Sequence, residues 1–227
     1  MLETITQILT PDNLLKLLQG AGISLLLALG ALVFGVILGT INAAFKRSKH
    51  RLLRWIATIY VEIFRGTPML VQILFFFLGV PVIYRSIFGG VLRLDPYIVG
   101  LVALSFNSGA YQTELIRSGI NGVDKGQWEA ATTLGMSYVD TMRYIILPQA
   151  FKRIIPPMVS EFITLIKDSS LISTIGAAEL LYSAQTIGAN YYNYLVPLCA
   201  ASVMYLVMTI TVSVIARKLE RRMALSD

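Results

Sequence analysis

Five apolar stretches alternate with polar connectors along the chain, and each predicts a helix that crosses a membrane. About 20 consecutive apolar residues suffice to span hydrocarbon as a helix. The first stretch, 22–45, has only Ser24, Thr40 and Asn42 as polar side chains, and its Gly30, Gly35 and Gly39 predict close packing on another helix. The second, 55–80, is interrupted by Glu62, Arg65 and Pro68. The others cover 97–115, 154–175 and 194–216. Pro156-Pro157 is expected in the first turn of the fourth, where a missing N–H costs nothing. Pro81–Pro96 is expected as a loop, from its Gly89-Gly90 and Asp95-Pro96 turn signals, and so is the stretch around Gly188 and Asn190. Ahead of the first span, Leu14, Leu15, Leu17 and Leu18 recur at helical spacing and predict an outer amphipathic lead-in.

Composition agrees with this pattern. Only 14% of the 227 residues are charged, against about 25% in a soluble domain, and the mean hydropathy is +0.69. The expected class is an all-α integral membrane protein, one transmembrane domain over 1–227, with five helices in the lipid bilayer. Met1–Gly20 lacks the basic n-region and small-residue cleavage site of a signal peptide. The single Cys199 reads as a small buried apolar residue, and it excludes a disulfide or thiolate metal site within one chain. His50 is the one histidine and sits among basic residues without a second ligand. No metal site is expected.

Lysine and arginine set the orientation. The connector Lys46–Arg54 holds five of them, 116–153 holds five and the tail from Arg217 holds four, against Lys16, Arg85 and Arg93 on the other side. The rich side is cytoplasmic by the positive-inside rule. The N-terminus is therefore expected outside and the C-terminus in the cytoplasm. The net charge of +6 reads as topology, and no nucleic-acid partner is expected. Tyr191-Tyr192-Asn193-Tyr194 falls at the outer end of the last span, where interfacial anchoring explains it.

The cytoplasmic segment 116–153 predicts two short helices with a rigid elbow. Gln127–Leu134 is rich in helix formers, and Gly135 suits a C-terminal cap at positive φ. Ser137 with Asp140 predicts a capped restart, and Leu147-Pro148 predicts the end of the second helix. The small Ala130 and Ala131 would let a partner approach closely, and Glu129 would offer an anchoring charge.

Ionisable groups inside a span are expensive and mark functional sites. Seven-residue spacing puts Arg65 and Gln72 on one face of the second span, Asn107 and Glu114 on one face of the third, and Glu161 and Asp168 on one face of the fourth. Glu161 and Asp168 are expected about 10 Å apart, with Thr164 between them. These stripes should turn toward a shared wet cavity. Glu62–Arg65 and Glu114–Arg117 are i,i+3 pairs that could neutralise each other. Lys167 does not face its neighbour Asp168 and is expected to reach another helix. Glu161 has no basic residue at i±3 or i±4 and lies about 6 Å to the cytoplasmic side of its span's centre. A carboxylate there protonates or finds a cation. Pairing with Arg65 or Lys167 across helices and pairing with a transported cation both remain open.

Glu129-Ala130-Ala131, Gly135, Ile145, Leu147 and Pro148 follow the pattern Glu-Ala-Ala, three residues, Gly, nine residues, Ile, one residue, Leu-Pro. This pattern resembles the signature loop, the EAA motif, of the membrane subunit of bacterial ABC importers. Arg65-Gly66-Thr67-Pro68 with Gln72, Asn107-Ser108-Gly109-Ala110-Tyr111, Glu114, Arg117 and Lys167-Asp168-Ser169-Ser170-Leu171 are similar to the polar amino acid branch (histidine, arginine and glutamine permeases) of that family. The resemblance covers about Gly20 to Arg217. It implies a five-helix permease subunit in the bacterial cytoplasmic (inner) membrane, paired with a second permease subunit as a homo- or heterodimer. It implies a dimer of ABC ATPase subunits that binds ATP and Mg and docks on segment 124–148, with Gln127, Glu129, Ala130, Ala131, Gly135, Leu147 and Pro148 at the contact. It implies an extracytoplasmic amino-acid-binding protein, or a fused domain, that delivers the solute.

No Gly-x-x-x-x-Gly-Lys-[Ser/Thr] loop occurs. The chain is therefore expected to be no enzyme itself, with no catalytic residue and no cofactor of its own. An amino acid substrate brings an α-carboxylate and an α-ammonium, for which Asn107, Gln72, Ser108, Thr67 and Ser105 could supply hydrogen bonds. Glu161, helped by Asp168 and Thr164, is the expected receiver of a basic side chain. Arg65, Glu62, Lys167 and Glu114 are assigned to gating or intramembrane ion pairs, with direct solute contact left open for Arg65, Lys167 and Asp168. Import of neutral or acidic amino acids such as glutamine is the alternative. An ion-coupled secondary amino acid transporter would leave the signature loop unexplained, and a non-transporting anchor would not need three polar stripes.

Overall fold

In a computed structural model, residues 2–224 are described, with side chains for 4–218, and no strand forms among them. Arg221 and Arg222, counted in the tail, lie outside the described side chains. A short α1, Leu2–Ile8, precedes the 37-residue α2, Pro11–Arg47. Thr10 caps α2, accepting the Asn13 N–H at 3.3 Å, and Pro11 takes the first position. The leucines read as a separate lead-in are therefore the first turns of this long helix. Leu17 is fully buried against Ala184 and Ala201, while Leu15 and Leu18 face out.

The second apolar stretch is broken where Pro68 predicts. α3, Arg51–Gly66, ends before Thr67-Pro68, and α4, Met69–Leu74, restarts after it. A π-helical turn, Phe75–Gly79, then runs into α5, Val80–Phe88, which Gly89 ends at φ 70°. The loop expected from Pro81 thus begins only at Gly89. In the wide turn the Val80 N–H reaches the Phe75 carbonyl, five residues back. This register lets the helix run through Pro81, which has no N–H to donate.

The same device recurs later in the chain. α6, Pro96–Asn121, is capped by Asp95, whose Oδ1 accepts from Tyr97 and Ile98 at 2.9 and 3.1 Å. α7, Lys125–Thr133, and the single turn α8, Tyr138–Asp140, follow. A second π-helical turn, Thr141–Ile146, leads into α9, Leu147–Asp168, with the Leu147 N–H on the Met142 carbonyl. Pro148 therefore starts α9 and does not end a helix. Pro156-Pro157 lies in the interior of α9, and the last part of the expected span, Ser169–Ile175, winds as a 3₁₀ helix. After Gly176 at φ 88°, the stretch around Gly188 is helical: α10, Leu180–Asn190. α11, Leu195–Ala224, closes the chain.

Pro11–Arg47, Met69–Phe88 and Leu195–Lys218 are long and apolar enough to cross a membrane. The more polar α6 packs on α2, α4 and α9, and α9 packs on α2 and α11. Ala28 and Ala31 of α2 meet Leu104 of α6 and Leu165 and Ile166 of α9 in one buried cluster. Small residues set the spacing. A Cβ on Gly35 would lie 2.6 Å from the Ser108 hydroxyl, and one on Gly39 would lie 2.5 Å from the Gln112 Cβ. Large apolar side chains such as Leu26, Phe34, Leu206 and Val207 face outward. Cys199 is also exposed, on α11, and not buried as its apolar surroundings suggest.

Candidate functional site

Thr67, Gln72 and Asn107 meet at the break in the second stretch. Pro68 leaves the end of α3 without helical donors, and the Gln72 amide supplies them. Its Nε2 lies 2.9 Å from the Phe64 carbonyl, 3.0 Å from the Thr67 carbonyl and 2.9 Å from the Thr67 hydroxyl. Asn107 of α6 adds its Nδ2 to the same Phe64 carbonyl at 2.9 Å and to Gln72 Oε1 at 3.0 Å. The Tyr60 hydroxyl donates to the Phe106 carbonyl at 2.6 Å, a second tie between α3 and α6. These side chains hold open backbone in place, which membrane depth demands. Ser105 turns back to its own helix, donating to the Leu101 carbonyl at 2.6 Å.

Arg65 and Gln72 do not share a face, because the break separates their helices: Arg65 is exposed and Gln72 is buried. No ion pair joins Glu62 to Arg65. The Arg65 guanidinium instead sits over the Tyr111 ring, 5.2 Å from its centre. Glu114 does pair with Arg117, whose Nε and Nη2 both donate to its Oε2 at 2.9 and 2.7 Å, and its Oε1 takes Lys46 of α2 at 2.6 Å. Glu114 is therefore locked at the end of the α2–α6 pair.

Glu161, Thr164 and Asp168 do lie along one unbroken helix, α9. Thr164 is exposed, and Glu161 and Asp168 are partly buried. Neither Arg65 nor Lys167 closes an ion pair on Glu161. Lys167 is exposed and reaches no other helix, and its field acts on its neighbour Asp168. The Ser108 hydroxyl of α6 lies close enough to Glu161 to interact, though it completes no hydrogen bond. Glu161 thus faces the α2–α6 seam without a cation.

Sequence reasoning missed Glu179. It is fully buried between the 3₁₀ turn and α10. Its carboxylate accepts from Leu181 N at 2.9 Å, Tyr182 N at 2.8 Å, the Ser24 hydroxyl at 3.3 Å and the Tyr205 hydroxyl at 2.7 Å. It caps α10 and ties α2 to α11. Its only signal in the sequence is an acidic residue just ahead of a helical stretch, after Gly176.

Segment 116–153 forms the elbow its sequence predicts. Gly135 has φ 71° and donates to the Thr132 carbonyl at 3.0 Å, while Met136 donates to the Ala131 carbonyl at 3.0 Å, a paired cap of the Schellman type. The Ser137 hydroxyl accepts the Asp140 N–H at 3.1 Å and donates to the Asp140 carboxylate at 2.6 Å. Trp128 stacks on Tyr138 with ring centres 6.0 Å apart. Gln127 accepts from Gln149 of α9 at 3.1 Å, and Arg47 reaches Asn121 at 3.0 Å and the Tyr138 hydroxyl at 3.3 Å. The elbow is thus braced against α2, α6 and α9. Glu129 and Ala130 are exposed, but Ala131 is fully buried and serves packing. Leu147 is half-buried among Ile120, Ile146 and Ile154, and Pro148 is exposed. Leu134, 77% exposed, and Val139, 69% exposed, stand at the tip, two apolar residues not singled out in the sequence.

The chain is similar to known proteins. The family model described as "Binding-protein-dependent transport system inner membrane component" matches residues 31–225. The arginine transport system permease protein ArtQ of Bacillus subtilis is 39% identical over 211 residues, 93% of this chain and 94% of the relative. The L-cystine transport system permease protein TcyB of Bacillus subtilis is 43% identical over 192 residues, covering 84% and 79%. The glutamine transport system permease protein GlnP of Escherichia coli is 36% identical over 207 residues, covering 91% and 92%. A crystal structure of an amino acid ABC transporter with histidines superposes with a TM-score of 0.85 at 39% identity, covering 91% and 94%. The chain belongs to the inner membrane component family of binding-protein-dependent transport systems.

Proposed function

We propose that this chain is the permease subunit of an ATP-driven importer that carries a polar amino acid, with a preference for a basic one, into the bacterial cytoplasm. The observation that carries the substrate reading is Glu161: a partly buried carboxylate on the polar face of α9 with no cation on it among the described residues. A guanidinium, ammonium or imidazolium would supply the missing charge, and Asp168, on the same face, would add to the attraction. Ser108 and Thr164 lie at hand for the rest of the solute. Thr67, Gln72 and Asn107 then act chiefly by holding the break between α3 and α4. The names of the arginine and cystine relatives and of the structure with histidines agree with an amino acid cargo. The glutamine relative keeps neutral amino acids as the second reading.

The basic connectors favour an elbow in the cytoplasm and an N-terminus outside, with five membrane crossings assigned to α2, the α4–α5 stretch, α6, α9 and α11. Segment 124–148 docks on a separate ATPase dimer through its exposed residues, Glu129, Ala130, Leu134 and Gly135. ATP and Mg bind there and not on this chain. The braces from the elbow to α2, α6 and α9 carry the ATPase motion into the spans. A second permease subunit and an outer binding protein complete the assembly.

The test is radiolabelled uptake into proteoliposomes holding the chain with its ATPase, with internal ATP and a panel of arginine, lysine, histidine, glutamine and glutamate. ATP-dependent uptake confined to the cationic members is the expected result. Uptake of glutamine or glutamate alone would retain the importer and reduce Glu161 to a structural group, and ATP-independent uptake driven by an ion gradient would overturn the importer.

A further inference from the structure

A basic cavity of about 480 Å³ opens where α2 passes into α3, lined by Lys46, Arg51, Arg54, Trp55, Thr58 and Arg117. Four of these six side chains are cations. Among the described residues the one carboxylate bonded to them, Glu114, is shared between Lys46 and Arg117 at 2.6 and 2.7 Å. Four positive charges less one leave the cavity with a net charge of three. Arg54 is held in place by its own backbone, donating to the Ser48 and Lys49 carbonyls at 2.8 and 3.0 Å. Arg51 makes no ion pair and is exposed.

The helix makes this crowding worse. Arg51 and Arg54 stand in the first turn of α3, where the helix already presents the positive end of its dipole. That turn has no acidic residue, and the His50 side chain at the cap accepts no hydrogen bond from it. Like charges gathered without a counter-ion repel, and an anion in the cavity relieves that repulsion.

The surroundings specify the anion. Beside the cavity, α3 turns an apolar strip outward: Leu52 and Trp55, each 70% exposed, then Ile56 and Ile59. A tryptophan at the edge of an apolar strip, next to a cluster of cations, suits the level of the lipid headgroups. A free phosphate has no use for the strip, whereas a phospholipid lays an acyl chain along it. Basic pockets between helices on the cytoplasmic side bind anionic headgroups. We propose that this cavity binds the phosphate headgroup of an anionic phospholipid from the cytoplasmic leaflet, with an acyl chain along Leu52, Trp55, Ile56 and Ile59. The proposal rests on the orientation given above and not on the solute carried or on transport.

The test is native mass spectrometry of the assembled transporter released from nanodiscs of phosphatidylcholine with a minor fraction of phosphatidylglycerol. Preferential retention of phosphatidylglycerol is expected. Arg51→Gln should reduce that retention about fivefold and Arg51→Gln/Arg54→Gln about 25-fold. Arg217→Gln/Lys218→Gln removes as much charge from exposed positions at the cytoplasmic end of α11 and should leave retention unchanged. Equal loss in the two double variants would mean diffuse surface attraction and would overturn the site. Should the Arg54 change unsettle the connector, Arg51→Gln alone decides, because that side chain makes no ion pair with its own chain. Titration with inorganic phosphate separates the two sources of the anion. Displacement of the lipid by phosphate as readily as by added phosphatidylglycerol would make this a free-anion site and overturn the lipid assignment.

Discussion

The Tyr205 hydroxyl of α11 donates to the carboxylate of Glu179 at 2.7 Å, and through it α11 is tied to the cap of α10 and to Ser24 of α2. Glu179 is fully buried, and a buried carboxylate is tolerated only when its oxygens are well supplied with donors. Tyr205→Phe removes one of four donors and should lower stability by about 1.5–3 kcal/mol. Glu179→Ala should cost more, because it strands the Tyr205 hydroxyl and uncaps α10 together. Thermal unfolding in detergent measures both. An unchanged midpoint for Tyr205→Phe would show that the bond contributes nothing net.

Gly39 of α2 lies against Gln112 of α6 so closely that a Cβ would sit 2.5 Å from the Gln112 Cβ and 3.0 Å from its backbone carbonyl carbon. Neither is the end of a flexible side chain, so Gly39→Ala must push the helices apart. Overpacking of this kind costs about 1–3 kcal/mol. Gly22→Ala is the control, since nothing lies within 4 Å of a Cβ there. The first variant should unfold at lower temperature and the second as the parent does or higher.

Much of this was legible in the sequence, and the misses share a cause. Gly30, Gly35 and Gly39 predicted close packing, and α6 is what they meet. Gly135 and Ser137 predicted the elbow, because caps are set by a few neighbouring residues. The prolines misled. Pro81 and Pro148 read as helix ends, yet each follows a π-helical turn that carries the helix through. A π turn has no composition of its own, so the sequence could not announce it. Side-chain partners were the other gap. The i,i+3 spacing that pairs Glu114 with Arg117 is the same spacing as Glu62 and Arg65, which stay apart. Tyr111 of α6 decides the difference by taking the guanidinium of Arg65, a contact between distant parts of the chain. Glu179 was invisible for the same reason, since Ser24 and Tyr205 lie 155 and 26 residues from it.

Leu134 lies beyond the last turn of α7 with 77% of its surface exposed, so its side chain contributes little to this chain's own stability. An apolar tip on a braced elbow is suited to burial in a partner. Leu134→Ala should leave thermal unfolding unchanged and weaken association with the ATPase about tenfold or more, the effect of one lost leucine burial. Co-purification of the two subunits and substrate-stimulated ATP hydrolysis read this out. Undiminished association would move the contact to Glu129 and Ala130 alone.

Glu161 stands on the polar face of α9 beside Ser108, with no arginine or lysine on its carboxylate among the described residues. The Glu161→Gln variant keeps size and hydrogen-bonding reach while removing the charge. A charge-assisted hydrogen bond contributes about 1.5–3 kcal/mol, so uptake of arginine or lysine at limiting concentration should fall about 10- to 100-fold. A neutral amino acid makes no ion pair there, and its uptake should hold or rise. Because Glu161 pairs with no cation of the chain, the variant leaves no charge stranded, and thermal unfolding should stay at or above the parent value. Loss of basic and neutral substrates in equal measure would assign Glu161 to the fold or to gating, and the preference for basic side chains would then lie with the outer binding protein.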